Sequence, residues 1–426
     1  MIDSLHIYYE GQFVGHLNYD RLRDRIEWVY DDEWYNDPDS FPSSLSLEER
    51  VNPDEPIRHF IWGLLPDNSQ ILESWGKRFH VSARNPFDLL KHVGEDCAGA
   101  LQFIQPDRVD DILCGKSDQL IPLTKRQVQQ RLDDLTKQTA NHPSQHEGRF
   151  SLAGAQRKDA LHLVKRKWHL PEGRIPTTHI LKPQIDFDHH ALNEHFCLNL
   201  AKQSGLPVPT TQVIPFGDLQ VIVVKRYDRR LTSDGHYLRI HQEDFCQALN
   251  IHPSRKYQNE GGPSIPDIIT LLRKHSIDAQ IDIDNFLRAL ALNWVLLGTD
   301  AHAKNYSLLI ASQSSFRLAP FYDIASFLPY VKKSESQKVK FAMKYGHEYL
   351  DCKIDQKQWR HLATDSKLKP DYVLSLITDY LNQIETLLPD VHSLVSKKHR
   401  DPFLDKLCGL IKKRLKHCHL ALRKTF

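Results

Sequence analysis

Between positions 284 and 297, Phe286, Leu290, Trp294 and Leu297 recur at helical spacing, and Gly298 follows at once. Apolar residues spaced three to four apart predict a helix buried in a core, and a glycine is a common helix stop. What comes next is polar: Asp300-Ala-His-Ala-Lys-Asn305, then, after a short apolar stretch, Pro320-Phe-Tyr-Asp323. A rigid element therefore ends in a loop of chemically able side chains, which is where catalytic groups tend to lie. A buried helix needs a sizeable core around it, and 426 residues are enough for two or three domains.

An Asp, an Asn five positions on and a second Asp beyond is the layout that phosphoryl transfer uses. Asp300 can accept the proton of a substrate hydroxyl, while Asn305 and Asp323 can hold Mg²⁺ against ATP phosphates. Taken alone, Asp300 and Asn305 fit equally well as loop residues that bond their own backbone. His302 can hydrogen-bond a phosphate and Lys304 can neutralise charge, or both can be exposed loop residues.

Composition narrows the alternatives. Hydrophobic residues at 40% and charged residues at 26% are those of an ordinary globular protein. A net charge of +2 does not by itself argue for nucleic acid. No run approaches the ~20 apolar residues of a membrane span, and the N-terminus lacks the basic and apolar regions of a signal peptide. The seven cysteines are scattered without a C-x-x-C pair and are expected to be reduced, in a cytoplasmic protein. Twenty-four histidines include the close pairs His142/His146, His189/His190 and His417/His419, none joined by a second ligand pair at zinc spacing.

Along the chain, residues 5–9 and 13–17 predict a β-hairpin and 25–30 a third strand. Residues 56–65, 69–79 and 86–94 predict helices, and 97–104 a strand. This makes a small α+β domain over 1–106. Residues 107–149 form a connector, with an amphipathic helix over 123–136 and a polar, turn-rich end over 138–149. A β-rich lobe over 150–241 follows, with strands near 160–164, 178–181, 211–214 and 221–224 and one helix over 193–204. Residues 242–426 form an all-helical lobe. The expected class is α+β and bilobal, with the polar loop in the second lobe, as in kinases. That is an analogy of architecture.

The other groups that phosphoryl transfer requires have candidates in the β-rich lobe. Ser151-Leu-Ala-Gly-Ala-Gln156-Arg-Lys158 is a small-residue turn whose backbone N–H groups can approach phosphates, though a plain hairpin turn fits it as well. Lys182 closes an apolar strand and can reach phosphates, or be merely solvated, and Glu194 can pair with it. Backbone groups near Lys225 and Tyr227 can bond adenine and Asp228 a ribose, against the alternative of a salt-bridged turn. Gln242-Glu243-Asp244 and Lys256-Tyr-Gln-Asn-Glu-Gly261-Gly262-Pro263 are polar motifs with no derivable role.

Together these segments resemble the HipA family of serine/threonine kinases, the toxin halves of HipBA type II toxin–antitoxin modules. The resemblance rests on Phe150-Ser151-Leu-Ala-Gly-Ala-Gln156, Thr178-His179-Ile-Leu-Lys182, Asn193-Glu194, Val224-Lys-Arg-Tyr-Asp228-Arg229, Gly298-Thr-Asp300-Ala-His302-Ala-Lys304-Asn305 and Pro320-Phe-Tyr-Asp323-Ile324. Near the start it adds Gly11-Gln-Phe-Val-Gly15-His-Leu17, Leu64-Leu65-Pro66-Asp67-Asn68 and Pro86-Phe87-Asp88-Leu89-Leu90, so a full-length member is expected.

The resemblance implies that Asp300 is the base and that Asn305 and Asp323 hold Mg²⁺. It implies that Ala153, Gly154, Ala155, Gln156, Arg157 and Lys158 form the phosphate loop, with Lys182 on the phosphates. Lys225, Arg226 and Tyr227 become the adenine hinge and Asp228 the ribose contact. His302, Ala303, Lys304 and Tyr322 line the nucleotide site, and Ser151 is the autophosphorylation site. The pattern departs at Lys225, where the best-known member carries an acidic residue, and at Leu152, which replaces a valine. Implied partners are a HipB-like helix-turn-helix antitoxin, its operator DNA and a protein substrate such as glutamyl-tRNA synthetase or another aminoacyl-tRNA synthetase. This would place the protein at the nucleoid when complexed. Lys367, Lys369 and the basic segment 406–424, with Lys412-Lys413-Arg414 and Lys416, are candidate DNA contacts. Two other readings stay open: a DNA-bound co-repressor as the main role, and a kinase acting on a small molecule or lipid.

Overall fold

Along Arg25–Tyr30, Ile26, Trp28 and Tyr30 turn inward while Arg25, Glu27 and Val29 do not. This period-two pattern lets a strand cover a core with one face. The strand is β3 of a five-stranded sheet, with β1 (Ile2–Tyr9), β2 (Gln12–Asp20), β4 (Val51–Asn52) and β5 (Leu101–Ile104) in the order β4-β3-β2-β1-β5. The hairpin of β1 and β2 pairs Leu5 with Leu17 and turns at Glu10-Gly11, both left-handed. The helices Asp54–Leu64 and Pro86–Val93 pack on this sheet and on each other. This computed structural model describes residues 2–137, 150–184, 187–313 and 315–423; the expected connector end 138–149 and the His142/His146 pair lie outside the described residues.

A second sheet has six strands. In chain order they are β6 (Gln119–Leu123), β7 (Asp159–Val164), β8 (Lys167–Glu172), β9 (His179–Pro183), β10 (Thr211–Phe216) and β11 (Leu219–Lys225). Their order in the sheet is β10-β11-β9-β7-β8-β6. The helix Lys125–Lys137 seals one face, burying Val128 and Leu132 against Leu161, Leu181, Phe216, Val221 and Val223. Burial of each such side chain is worth about 1.5–3 kcal/mol. Arg131 and Asp159 reinforce the contact with paired bonds of 2.7 and 2.9 Å, both side chains under a tenth exposed.

Contacts divide the chain into two units that do not follow chain order. The first is Met1–Pro183, Ile214–Ser254 and Leu308–Ser315; the second is Gln184–Val213, Arg255–Ser307 and Phe316–Phe426. The helix His190–Gln203, expected within the β-rich lobe, belongs to the second unit and packs on the long helix Pro370–His399.

The second unit is mainly helical rather than all-helical. It includes the hairpin Lys340–Tyr345 with Glu348–Leu350, and Tyr345 stacks edge-on with Trp359 in the core. Its central helix, Ala279–Leu296, starts five residues before the expected position. Asp282, which reads as polar in the sequence, is buried there and satisfied by Ser276, Arg317 and the Leu318 N–H. Among the described residues no helix is long and apolar enough to cross a membrane.

Candidate active site

The chemistry in the second unit is set by how its central helix ends. Phe286, Leu290 and Trp294 are fully buried, so the helix axis is fixed. The residue that turns left-handed is Leu297 (φ 54°), not the expected Gly298. Gly298 instead lies so close to Asn293 that a Cβ would sit 2.5 Å from the Asn293 Oδ1. Its N–H donates to the Asn293 carbonyl at 2.7 Å, and the Asn293 amide donates to the Tyr306 hydroxyl at 3.0 Å. Asn293 thus clamps both ends of the loop 298–306.

Within that loop Ala303–Asn305 forms a 3₁₀ turn. His302 N–H donates to the Asp300 carbonyl at 2.8 Å, and the Asn305 side-chain amide donates to the same carbonyl at 2.7 Å. This leaves the Asn305 Oδ1 as the atom available to a cation. The Asp300 carboxylate is largely exposed and accepts from the Tyr257 hydroxyl at 2.6 Å. His302 Nε2 lies 3.9 Å from the same oxygen, with His302 and Lys304 both buried.

The segment that brings Asp323 is fastened alongside. Tyr322 hydroxyl donates to the Lys304 carbonyl at 2.8 Å and lies 2.6 Å from the Ser307 hydroxyl. Phe321 is buried and its N–H donates to the Pro207 carbonyl at 2.8 Å. Asp323 itself is exposed and left-handed, with φ 54°. Sequence positions 300, 305 and 323 are therefore carried by two adjoining segments of one unit. An Asn carbonyl and an Asp carboxylate are hard oxygen donors of the kind Mg²⁺ takes when phosphates and water complete its shell, so these residues fit the cation.

In the first unit the phosphate-loop candidate is docked on the N-terminal subdomain. Ser151 is fully buried, its hydroxyl donating to the Leu64 carbonyl at 2.6 Å and its N–H to the Asp96 carbonyl at 3.1 Å. Gly154 pairs with Pro66, its carbonyl accepting from Asp67 N–H at 3.2 Å. Asn68 donates to the Ala155 carbonyl at 3.4 Å. Lys158 Nζ donates across the loop to the Ala153 carbonyl at 2.6 Å. Arg157 does not extend into solvent: it donates to the Leu135 and Thr136 carbonyls at 3.2 and 2.7 Å. Lys182, on β9 opposite Ile222, is buried, and Lys225, at the end of β11, is exposed.

One expected nucleotide contact, the Asp228 carboxylate on a ribose, is corrected here. Asp228 and Arg226 are each 3% exposed and bind each other at 2.7 Å. Asp228 also accepts from Arg229 and from Gly99 N–H. Both are therefore parts of a buried ion cluster with Asp96, Arg229 and Arg239, held there because a buried charge needs partners. Burial works to raise the Asp96 carboxyl, but Arg229, Arg226 and Arg239 outweigh it and hold it well below its usual range. No local pattern marks Asp96, whose carboxylate finds its partners more than 80 residues away. Tyr227 hydroxyl bonds Gln242.

Elsewhere, Lys367 and Lys369 are exposed on the turn between the helices Gln356–Asp365 and Pro370–His399. Lys406, Lys412, Lys413 and Lys416 are exposed on the helix Pro402–Arg423, but Arg414 is not part of that face: it turns inward to Asp351 and the Trp294 carbonyl.

Comparison with known proteins fits this geometry. Residues 150–388 match the HipA-like C-terminal domain and residues 5–104 the HipA N-terminal domain. The chain is 36% identical to the protein Y4mE of Sinorhizobium fredii, over 96% of this chain and 97% of that one. It is 29% identical to the serine/threonine-protein kinase toxin HipA of Shewanella oneidensis, over 76% of this chain and 75% of the relative. The solved structure of the Shewanella oneidensis HipA, HipB and operator DNA complex aligns with a TM-score of 0.83 at 25% identity, covering 97% of both chains. The two domain matches and the near full-length likeness agree: this chain belongs to the HipA family of serine/threonine kinases.

Proposed function

We propose that the chain is an Mg-ATP-dependent protein serine/threonine kinase and the growth-arresting toxin of a type II toxin–antitoxin module. The observation that carries the reading is the Asp300 loop with Asp323 fastened beside it, at the end of a helix anchored by the buried Phe286, Leu290 and Trp294, in a chain of this family. Mg-ATP supplies the transferable phosphoryl group and neutralises its charge. Asn305 Oδ1 and the Asp323 carboxylate would hold the cation. Asp300 accepts the proton of a serine or threonine hydroxyl as that oxygen bonds the γ-phosphorus and the bond to the ADP oxygen breaks. Lys182 and the backbone of 153–158 stabilise the phosphates, and backbone groups at Lys225 and Tyr227 receive adenine.

Ser151 is assigned as the autophosphorylation site. Its buried hydroxyl faces the Leu64 carbonyl, so a phosphate of about −1.5 to −2 charge there is incompatible with the docked loop. Modification would release the loop and switch the enzyme off. The cellular substrate is an aminoacyl-tRNA synthetase, by family resemblance. A HipB-like antitoxin and operator DNA are the partners, supported by the likeness to the Shewanella oneidensis complex. The exposed Lys367 and Lys369 are the proposed contacts to DNA phosphates.

The test is intact-mass spectrometry after incubation with Mg-ATP. Wild type, freed of any phosphate carried through purification, gains one phosphate. Asp300→Asn and Ser151→Ala gain none, and Asp300→Asn still binds ATP. Phosphate gain by Asp300→Asn would sink the assignment of the base. No gain in wild type, with intact co-repression alongside an antitoxin, would favour the DNA-bound co-repressor.

A further inference from the structure

Lys256-Tyr-Gln-Asn-Glu-Gly261-Gly262-Pro263 has no part in the chemistry above. In the structure it is a self-closed turn set against the catalytic loop. Gln258–Glu260 is a 3₁₀ turn capped by left-handed Gly261, and Gly262 N–H donates back to the Tyr257 carbonyl at 3.0 Å. A Cβ on Gly262 would collide with the Arg255 and Tyr257 carbonyls, so the turn closes only with glycine there. Two bonds fix it from outside. Gln258 Oε1 accepts from Lys344 N–H at 2.7 Å, and the Lys256 carbonyl accepts from Ala303 N–H at 3.4 Å, inside the catalytic loop.

What this turn presents is Tyr257. Its hydroxyl donates to Asp300 Oδ1 at 2.6 Å. Its ring meets His302 edge-on, centroids 5.1 Å apart at 86°, and Lys256 Nζ lies 5.6 Å from the ring centre. The Asp300 side chain is 73% exposed, so little packing restrains its rotation. A donor anchored at one carboxylate oxygen fixes the plane of the group and leaves the other oxygen to meet a substrate. Reacting groups lose rate steeply when misplaced by an ångström.

We propose that Tyr257 is a positioning residue for phosphoryl transfer: its hydroxyl holds Asp300 Oδ1 so that Oδ2 faces the acceptor hydroxyl, and the 256–263 turn exists to aim it. This rests on the reading of Asp300 as the base. It predicts that the maximal rate depends on the tyrosine hydroxyl while ATP affinity does not.

The experiment uses the full chain, Mg-ATP labelled on the γ-phosphate, and two acceptors: the chain itself and casein as a generic serine protein. Tyr257→Phe keeps the ring against His302 and removes only the hydroxyl. The expected result is a fall of about 10- to 100-fold in maximal rate, with the half-saturating ATP concentration within about twofold of wild type and an unchanged melting temperature. Gln258→Ala, which loosens the turn but keeps the hydroxyl, should give an intermediate loss. An active wild type matched by Tyr257→Phe would overturn the proposal while sparing the kinase reading. So would a faster Tyr257→Phe, because the tyrosine would then compete with the acceptor for Asp300. A weakened ATP affinity with normal maximal rate would mark the turn as merely structural and also overturn it. If wild type labels neither acceptor, the kinase reading falls and takes this proposal with it.

Discussion

Asp323 is held at φ 54°, a region L-residues enter at a cost of about 1–2 kcal/mol and that Asp and Asn tolerate best. A strained residue beside the catalytic loop is the kind of outlier that points to function. It also yields a clean variant. Asp323→Asn keeps the backbone preference and the side-chain shape but removes the anionic oxygen offered to the cation. We expect transfer to fall about 10²-fold or more, with the melting temperature within a degree or two of wild type. A variant that retained activity would remove Asp323 from the cation site, and one that unfolded would show its charge to be structural. Asp300, Asn305 and Asp323 were legible in the sequence because their relation is local spacing plus one helix stop. Tyr257 and Asp96 were not, because each acts on partners 43 or more residues away. Asp228 misled for the converse reason: a lone Asp after a strand looks available until Arg226 and Arg229 are seen to close on it.

Among the elements, the segment 150–158 is held by three others: the turn Leu64–Asn68, the stretch at Asp96 and the end of the helix Lys125–Lys137. Asn68 serves both sides, capping the helix Ser69–Phe79 through Gln70 and Ile71 N–H while donating to the Ala155 carbonyl. Arg157 binds the carbonyls of Leu135 and Thr136, near the end of their helix, where a cation is favoured. Arg157→Ala should therefore loosen the loop before any nucleotide arrives. Amide exchange over 150–158 in the ATP-free protein is expected to quicken, and half-saturation by ATP to rise about fivefold, the equivalent of one lost hydrogen bond. Weakened ATP affinity without faster exchange would mean that Arg157 contacts the nucleotide directly. Elements with their own punctuation were read well from sequence: Ser69–Phe79 and Pro86–Val93 each follow an asparagine cap, and Arg25–Tyr30 alternates. The strand expected over 97–104 begins only at Leu101, since the Cys97 and Gly99 carbonyls bend away to meet Arg226 and Arg229. Gln119–Leu123 and Lys167–Glu172 went unseen because neither buries a residue fully, so no apolar alternation marks them.

For the whole molecule, contacts cut across chain order, and Glu243 shows what this does to stability. The strand His241–Asp244 follows the β-rich region in sequence, yet Glu243 is buried against Ser44 and Leu45, some 200 residues earlier in the same unit. Burial pushes its carboxyl up to about 8 from an ordinary 4.5, the bonds from Ser44 and Leu45 offsetting only part of the cost. Below about pH 4.5 both folded and unfolded chains carry the proton, so this group takes nothing from stability. From there to about pH 8 the folded chain holds a proton that the unfolded chain has released, so stability falls as pH rises through that window and levels off above it. Glu243→Gln removes the titration and keeps both contacts, its carbonyl accepting from Leu45 N–H and its amide donating to the Ser44 hydroxyl. Comparing variant with wild type at each pH cancels every other titrating group, including buried His241. Denaturant unfolding at pH 5, 6.5 and 8 should show an effect of Glu243→Gln that is least favourable at pH 5 and grows in favour of the variant by on the order of 2 kcal/mol or more by pH 8, since each tenfold change in proton affinity is worth about 1.4 kcal/mol. A difference that stays constant across the three pH values would mean that Glu243 is ionised in the fold, and that the Ser44–Leu45 segment is tied to it as a donor of charge-assisted bonds.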